Sequence, residues 1–387
     1  MMQRLILSVF FILSLCVSYA QVTTGTITGV VTDSKGQTLP GASVKAVYAP
    51  TGTVFTTTST SKGTFTLPNL PAGGPYNITV SHVGHNNASF DNLTLLLGEP
   101  LQIDAVMKIE GQTLNEVQVT GSSKNSIISS QRTGPSTNVS LRMLQSLPTL
   151  NRSIQDFIRL TPAASTFNSS DGSPGGISFN GQNNRYNQFT VDGASATDVF
   201  GLSSTGYNGG QAGINPIPLE SIASVQVLSS PYDVTQSGFT GGGINAVSKS
   251  GTNDFHGSVY GTLQNQGLVG KGVTTRLKYN NFKNNTYGAS LGGAIIKNKL
   301  FFFVNAERFD NSTPVAYDPS QAGSGSKFNV ATLQNLYNFL KTNYPTYDPG
   351  PFLGINKKQY STSVFGRIDY NINSKTRLTV RHSYVDG

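Results

Sequence analysis

GISFNGQNNRYNQFTVDGASATD (residues 176–198), IPLESIASVQVLSS (217–230) and GFTGGGINAVSKSGT (238–252) decide how this chain reads. Short β-type runs, Gln188–Val191, Val225–Leu228 and Ile244–Ser248, stand among turns rich in Gly, Asn and Ser. β-Branched and aromatic residues favour strands, and Gly and Asn favour turns. The stretch therefore reads as a small sheet with irregular connections. Nothing in it has catalytic spacing.

Composition agrees. Of 387 residues, 42 are Gly, none is Trp, and only 12% are charged. With 37% hydrophobic residues, 16 Tyr and 21 Phe, the chain is too apolar and too weakly charged for disorder. It reads as all-β dominated. The formal charge is +8, but the longest Lys/Arg run is Lys357-Lys358. A nucleic-acid surface would cluster its cations, so no nucleic-acid partner is expected.

Residues 1–20 read as a secretory signal peptide. Arg4 supplies the positive start, Leu5–Val17 the apolar segment, and Ser18-Tyr19-Ala20 the small-x-small cleavage site. Cys16, the single cysteine, lies inside it after the bulky Leu15, which argues against lipidation. The mature chain then has no thiol for a disulfide, a metal or a nucleophile. No later run approaches ~20 apolar residues, so no membrane-spanning helix is expected. A closed barrel of strands would still cross a bilayer.

Residues 22–108 alternate strand-like runs with turn clusters such as Asp33-Ser34-Lys35-Gly36 and Pro71-Ala72-Gly73-Gly74. Turns every ~8–12 residues predict a small β-sandwich. The G-x-V-x-D-x-x-G-x-x-L-x-G-A-x-V run, Gly29 to Val44, resembles the non-catalytic carboxypeptidase regulatory-like domain. His82 and His85 form H-x-x-H on a strand or turn; on a strand the offset of three places them on opposite faces, and no acidic third ligand follows. No metal and no cofactor are expected.

Residues 122–251 carry the opening stretch. Ser153-x-x-Asp156 caps a short helix bearing Ile154, Phe157 and Ile158, stopped by Pro162. Asn180–Gly193, Ile222–Leu228 and Gly241-Gly242-Gly243-Ile244-Asn245 together resemble the α+β plug domain of TonB-dependent outer-membrane receptors, in the Oar-like and SusC-like branch with an extra N-terminal domain. Ser229-Ser230-Pro231 departs from the Arg-Gly-Pro of many such receptors, which bears on subfamily.

From 252 to 387 the rhythm lengthens into dyads. In Thr286–Ile295, Tyr287, Ala289, Leu291, Gly293 and Ile295 share one face. Phe302, Val304 and Ala306 oppose Asn305 and Glu307, and Tyr360, Thr362, Val364, Ile368 and Tyr370 oppose Ser361, Ser363, Arg367 and Asp369. Such strands fit the start of an outer-membrane β-barrel, one face to outer-membrane lipid and one to a wet lumen. A soluble sandwich is the alternative. Expected strands 255–264, 286–295, 300–309, 359–370 and 376–384 are joined alternately by long links and by the tight turns at Lys297-Asn298-Lys299 and Asn371–Lys375. Five strands against the ~22 of a plug-holding transporter give the expectation of an N-terminal fragment of a longer receptor.

The resemblance implies an energy-coupled transporter that binds and imports a large ligand, such as a glycan or a peptide. Its partner would be periplasmic TonB, and a SusD-type lipoprotein is compatible with it. The linker 109–121 holds Leu114, Asn115, Glu116, Val117, Gln118, Val119 and Thr120 where the family keeps its TonB box; an ordinary linker or first plug strand is the alternative. Gly193–Asn215 has five further glycines and the isolated aromatics Phe200 and Tyr207. With Arg185 and Tyr186 of the preceding hairpin, these are the candidate ligand contacts; an inert spacer is the alternative. An adhesin or secretion-related protein on the same scaffold, or an enzyme accessory module, remain the competing classes. No G-x-S-x-G or P-loop is present, Gly323–Lys327 reads as a loop tip, and Asp171, Asp192 and Asp198 read as turn residues. No enzyme is expected.

Overall fold

The computed structural model describes residues 23–109, 136–147, 153–167, 175–203, 205–229, 238–272, 276, 278, 280–315, 317–320, 326–373 and 376–387. The signal segment 1–20, Leu114–Thr120 and Asp171 lie outside the described residues. None of the described helices is long and apolar enough to cross a membrane, which says nothing of a β-barrel.

The first unit is two packed sheets. Its strands are β1 (Thr24–Asp33), β2 (Ser43–Tyr48), β3 (Thr53–Thr58), β4 (Thr64–Pro71), β5 (Gly73–Ser81), β6 (Ala88–Leu95), β7 (Leu101–Gln102) and β8 (Ala105–Met107). β1 pairs antiparallel with β4 and parallel with β7 and β8, while the second sheet runs β3-β2-β5-β6. β1 alternates buried and half-buried residues along its whole length, so Ile27 and Val31 face Val44, Phe65, Tyr76, Ile78 and Met107 in one core. The Gly29–Val44 run has a physical basis here. Gly29 lies where an added Cβ would sit 1.8 Å from the Ile103 carbonyl oxygen. Asp33 Oδ1 accepts from the amides of Lys35 and Gln37, both at 2.8 Å, and closes the turn.

For His82 and His85, where the sequence allows a strand or a turn, the structure has the turn. β5 ends at Ser81, and the pair sits on a turn closed by His85 N–H to His82 O at 3.1 Å. The rings therefore meet, with Nδ1 atoms 3.1 Å apart, rather than facing opposite ways.

The middle unit is built from β9 (Ser136–Ser140), α1 (Leu141–Ser146), α2 (Ile154–Ile158), β10 (Ala164–Thr166), β11 (Ile177–Phe179), β12 (Gln188–Val191), β13 (Ala194–Ser195), β14 (Ile222–Leu228) and β15 (Gly243–Ser248). Five strands form one sheet in the order β13-β12-β15-β14-β9, with β12 and β15 parallel. Helix α2 begins with the expected capping box between Ser153 and Asp156. Its Ile154, Phe157 and Ile158 are buried with Phe179, Phe189, Val225, Val227 and Ile244.

The last unit is an antiparallel meander, β16 (His256–Asn265), β17 (Lys283–Ile296), β18 (Leu300–Pro314), β19 (Asn356–Asn371) and β20 (Arg377–Asp386). Tyr287, Leu291, Val304, Val364 and Ile368 are exposed on its outer face, as the dyads predict. The inner face differs from the expectation of a uniformly wet lumen. Phe301, Phe303 and Phe365 point inward and are fully buried, and the last two join the middle unit's core. The space is dry there because the middle unit fills it. The long link before β19 also contains a helix that the sequence reading passed over, α3 (Val330–Asn343).

Candidate functional site

β12 and β13 are joined by the two-residue loop Asp192-Gly193, both at positive φ (46° and 80°), the conformation that Asp-Gly hairpins favour. This turn aims the Asp192 carboxylate at the end of β15 and at the meander's inner face. Asp192 Oδ1 accepts from the Ser248 amide at 2.8 Å, and Oδ2 from the Ser248 hydroxyl at 2.6 Å. Arg367 of β19 donates through Nη1 to both Ser248 O and Ser248 Oγ, each at 2.9 Å. Arg367 Nη1 and Arg381 Nε lie 3.5 and 3.4 Å from the Asp192 carboxylate, and Arg381 also donates to Val191 O.

The wall side is equally tied. Asp369 is 1% exposed and takes a two-pronged contact from Arg367, Nε to Oδ2 at 2.8 Å and Nη2 to Oδ1 at 3.0 Å. Arg377 and Thr379 add bonds to Oδ1 at 2.8 and 2.7 Å. Every charge in the seam has an opposite partner, which is the condition for burying it. The chemistry is mechanical. Ion pairs and hydrogen bonds fix the inner sheet to the wall, and water can replace each when the two separate. Sequence reasoning placed Arg367 and Asp369 on the inner face but missed their role. A lone Arg and Asp two residues apart on that face were the available signal.

The candidate contact residues divide. Phe200 is 82% and Tyr186 56% exposed. Arg185 is exposed and runs alongside Gly201, so these three form one accessible patch. Tyr207 does not belong to it. It is 6% exposed, stacks at a tilt against Phe189 with ring centroids 5.5 Å apart, and donates its hydroxyl to Asn215 Oδ1 at 3.2 Å. Burial pushes its phenol above the ordinary value. The expectation of an isolated loop aromatic is corrected: Tyr207 is part of the core. The 198–203 loop owes its shape to Asp198, whose carboxyl accepts from the Ser203 and Phe200 amides and is held below the usual carboxylate range by them. Three or more acidic, His or Cys side chains that together fit a metal are not found among the described residues.

Comparison with known proteins assigns each unit. The carboxypeptidase regulatory-like domain family matches residues 26–108, the TonB-dependent receptor plug domain family residues 129–244, and the outer membrane β-barrel domain family residues 247–355. These three matched units are the ones that TonB-dependent receptors carry, and they indicate an outer-membrane protein whose N-terminal domain is periplasmic. It is 34% identical over 160 residues to the TonB-dependent transporter Oar of Myxococcus xanthus, a match covering 39% of this chain and 14% of that protein. Solved structures that align with it include the siderophore receptor PirA from Acinetobacter baumannii (18% identity, 65% of this chain, 31% of the other, TM-score 0.44). The outer membrane transporter YddB from Escherichia coli aligns similarly (18%, 64% and 32%, TM-score 0.42). The chain spans about a third or less of the length of these relatives.

Proposed function

We propose that the whole protein is an energy-coupled transporter of the outer membrane that binds a large polar ligand from outside and imports it. The observation that supports this reading is the seam at Asp192, Ser248, Arg367 and Arg381: beside the core that plug and wall share through Phe303 and Phe365, the plug is held to the barrel wall by ion pairs and hydrogen bonds that water can replace as it shifts. The pull comes from TonB, which pairs edge-on with Leu114–Thr120, where main-chain hydrogen bonds supply affinity and the Val117/Val119 alternation suits a strand. Arg185, Tyr186 and Phe200 are the proposed ligand contacts, with aromatic faces for a sugar ring or a peptide side chain. Outer-membrane lipid covers the apolar outer face of β16–β20.

Val117→Pro in the full-length receptor tests the reading. Proline removes a main-chain donor and blocks strand addition. Binding of the purified periplasmic domain of TonB, measured by calorimetry, is expected to fall at least about tenfold. Deletion of Leu114–Thr120 is expected to abolish it. Unchanged binding in both variants would overturn the assignment and favour an adhesin on the same scaffold.

A further inference from the structure

The N-terminal sandwich touches both the plug and the barrel sheet. Its β2–β3 turn meets the link that leads into β16, the β17–β18 turn and the end of β19. Pro50 O accepts from the Asn253 amide at 2.8 Å, and Thr53 Oγ1 from Asn371 Nδ2 at 3.1 Å. Gly52 packs so closely under Asn298 that an added Cβ would lie 2.3 Å from Asn298 Oδ1. A second turn of the sandwich, residues 97–99, meets the plug. Leu97 O accepts from Gln226 Nε2 of β14 at 2.8 Å. Glu99 Oε1 accepts from Ser136 Oγ at 3.1 Å and Asn138 Nδ2 at 2.9 Å, both on β9. Gly98, at φ +65°, makes this approach possible, because a Cβ there would stand 2.5 Å from Gln226 Nε2.

Position gives these contacts a mechanical meaning. Among the described residues β9 is an edge strand of the plug sheet, paired with β14 alone, and Ser136 is its first residue. Residues 110–135 join Ile109 at the end of the sandwich to Ser136 at the start of the plug. Tension anywhere in that segment loads the sandwich and β9 together. The contacts at both turns are polar, and polar domain contacts trade with water at small net cost.

We propose that the sandwich is a strap. Its 50–53 turn is fastened to the barrel and its 97–99 turn to the first plug strand, so that it keeps β9 seated at rest and must let go of the barrel before the plug can move. The transport proposal supplies only the origin of the pull; the strap is tested without TonB and without ligand. Amide hydrogen exchange is read on the purified full-length receptor. In Glu99→Ala, residues 136–147 are expected to exchange about fivefold faster, the loss of roughly one net hydrogen bond, while residues 76–80 in the sandwich core keep their protection. Glu99→Gln retains an acceptor oxygen and is expected to exchange as the parent does. A Thr53→Cys, Asn371→Cys pair is expected to cross-link on mild oxidation and to slow exchange of residues 136–147 relative to its reduced form. Parental exchange in Glu99→Ala, or failure of the cysteine pair to cross-link, overturns the strap. TonB binding that stays unchanged in both Val117→Pro and the Leu114–Thr120 deletion, with the exchange and cross-linking results as expected, would instead overturn the transport proposal alone.

Discussion

Phe200 and Tyr207 stand seven positions apart in a glycine-rich segment, yet one lies in solvent and the other in the core. Composition gave no reason to separate them. Tyr207 is buried because the chain returns past Phe189 and Asn215, and such long-range contacts leave no local pattern. The two residues therefore predict opposite phenotypes. Tyr207→Ala is expected to cost about 3–5 kcal/mol of stability, as large-to-small core changes do, with a lowered midpoint in chemical denaturation. Phe200→Ala is expected to leave that midpoint unchanged and to weaken ligand binding by about 1–3 kcal/mol, read by calorimetry. Arg367 is a third case. Arg367→Ala leaves the buried Asp369 with only Arg377 and Thr379, removing the two-pronged contact at a cost of about 1.5–3 kcal/mol, and loosens Ser248 and Asp192. Trypsin is expected to cut the plug of that variant faster than the parent's. Arg367→Lys is expected to rescue poorly, since an ammonium cannot reproduce the two-pronged contact.

At the scale of elements, what repeats was legible. β17, β18 and β19 follow their dyads, because a two-residue period states which face is buried, while β14 and β15, largely buried on both faces, follow their β-branched runs. Helix α3 was missed for lack of a comparable contrast. Its Leu333, Tyr337 and Leu340 recur at helical spacing and are half-buried, but Leu336 and Phe339 are exposed, so the pattern is blurred. Its start is marked by Asn329, whose Oδ1 accepts from the Thr332 amide at 2.8 Å. Asn329→Ala is expected to weaken the first turn by about 1 kcal/mol, seen as faster exchange of residues 330–334 alone. In the sandwich, β2 and β5 bring Tyr48 and Tyr76 together, ring centroids 4.9 Å apart. Burial pushes both phenols above their ordinary value. The folded domain thus keeps protons that the unfolded chain releases. Their contribution to stability is full below about pH 10 and is lost as pH rises from there through the folded values, by about 1.4 kcal/mol per pH unit for each phenol. Urea midpoints are expected to be flat up to that point and to fall beyond it, less steeply in Tyr76→Phe.

For the whole molecule, the distribution of core residues decides which parts stand alone. Every residue of the sandwich's buried cluster lies between Ile27 and Met107, and the contacts to plug and barrel described above are hydrogen bonds. Plug and wall, by contrast, share one core through Phe303 and Phe365. Order of domains was legible in the sequence; this sharing was not, because it depends on which side chains a curved sheet brings against a neighbour. The sandwich is therefore expected to fold by itself, and the meander is not. β16 and β20 are the edges of the described five-stranded sheet, and an edge in hydrocarbon carries main-chain groups that lipid cannot satisfy. Residues 22–108 expressed alone are expected to be soluble and to unfold in one cooperative step. Residues 21–387 expressed alone are expected to show neither protease resistance in outer membranes nor heat-modifiable migration on gels. A heat-modifiable, protease-resistant species from that piece would mean that five strands find edge partners in another copy, and the argument from unsatisfied edges would fail.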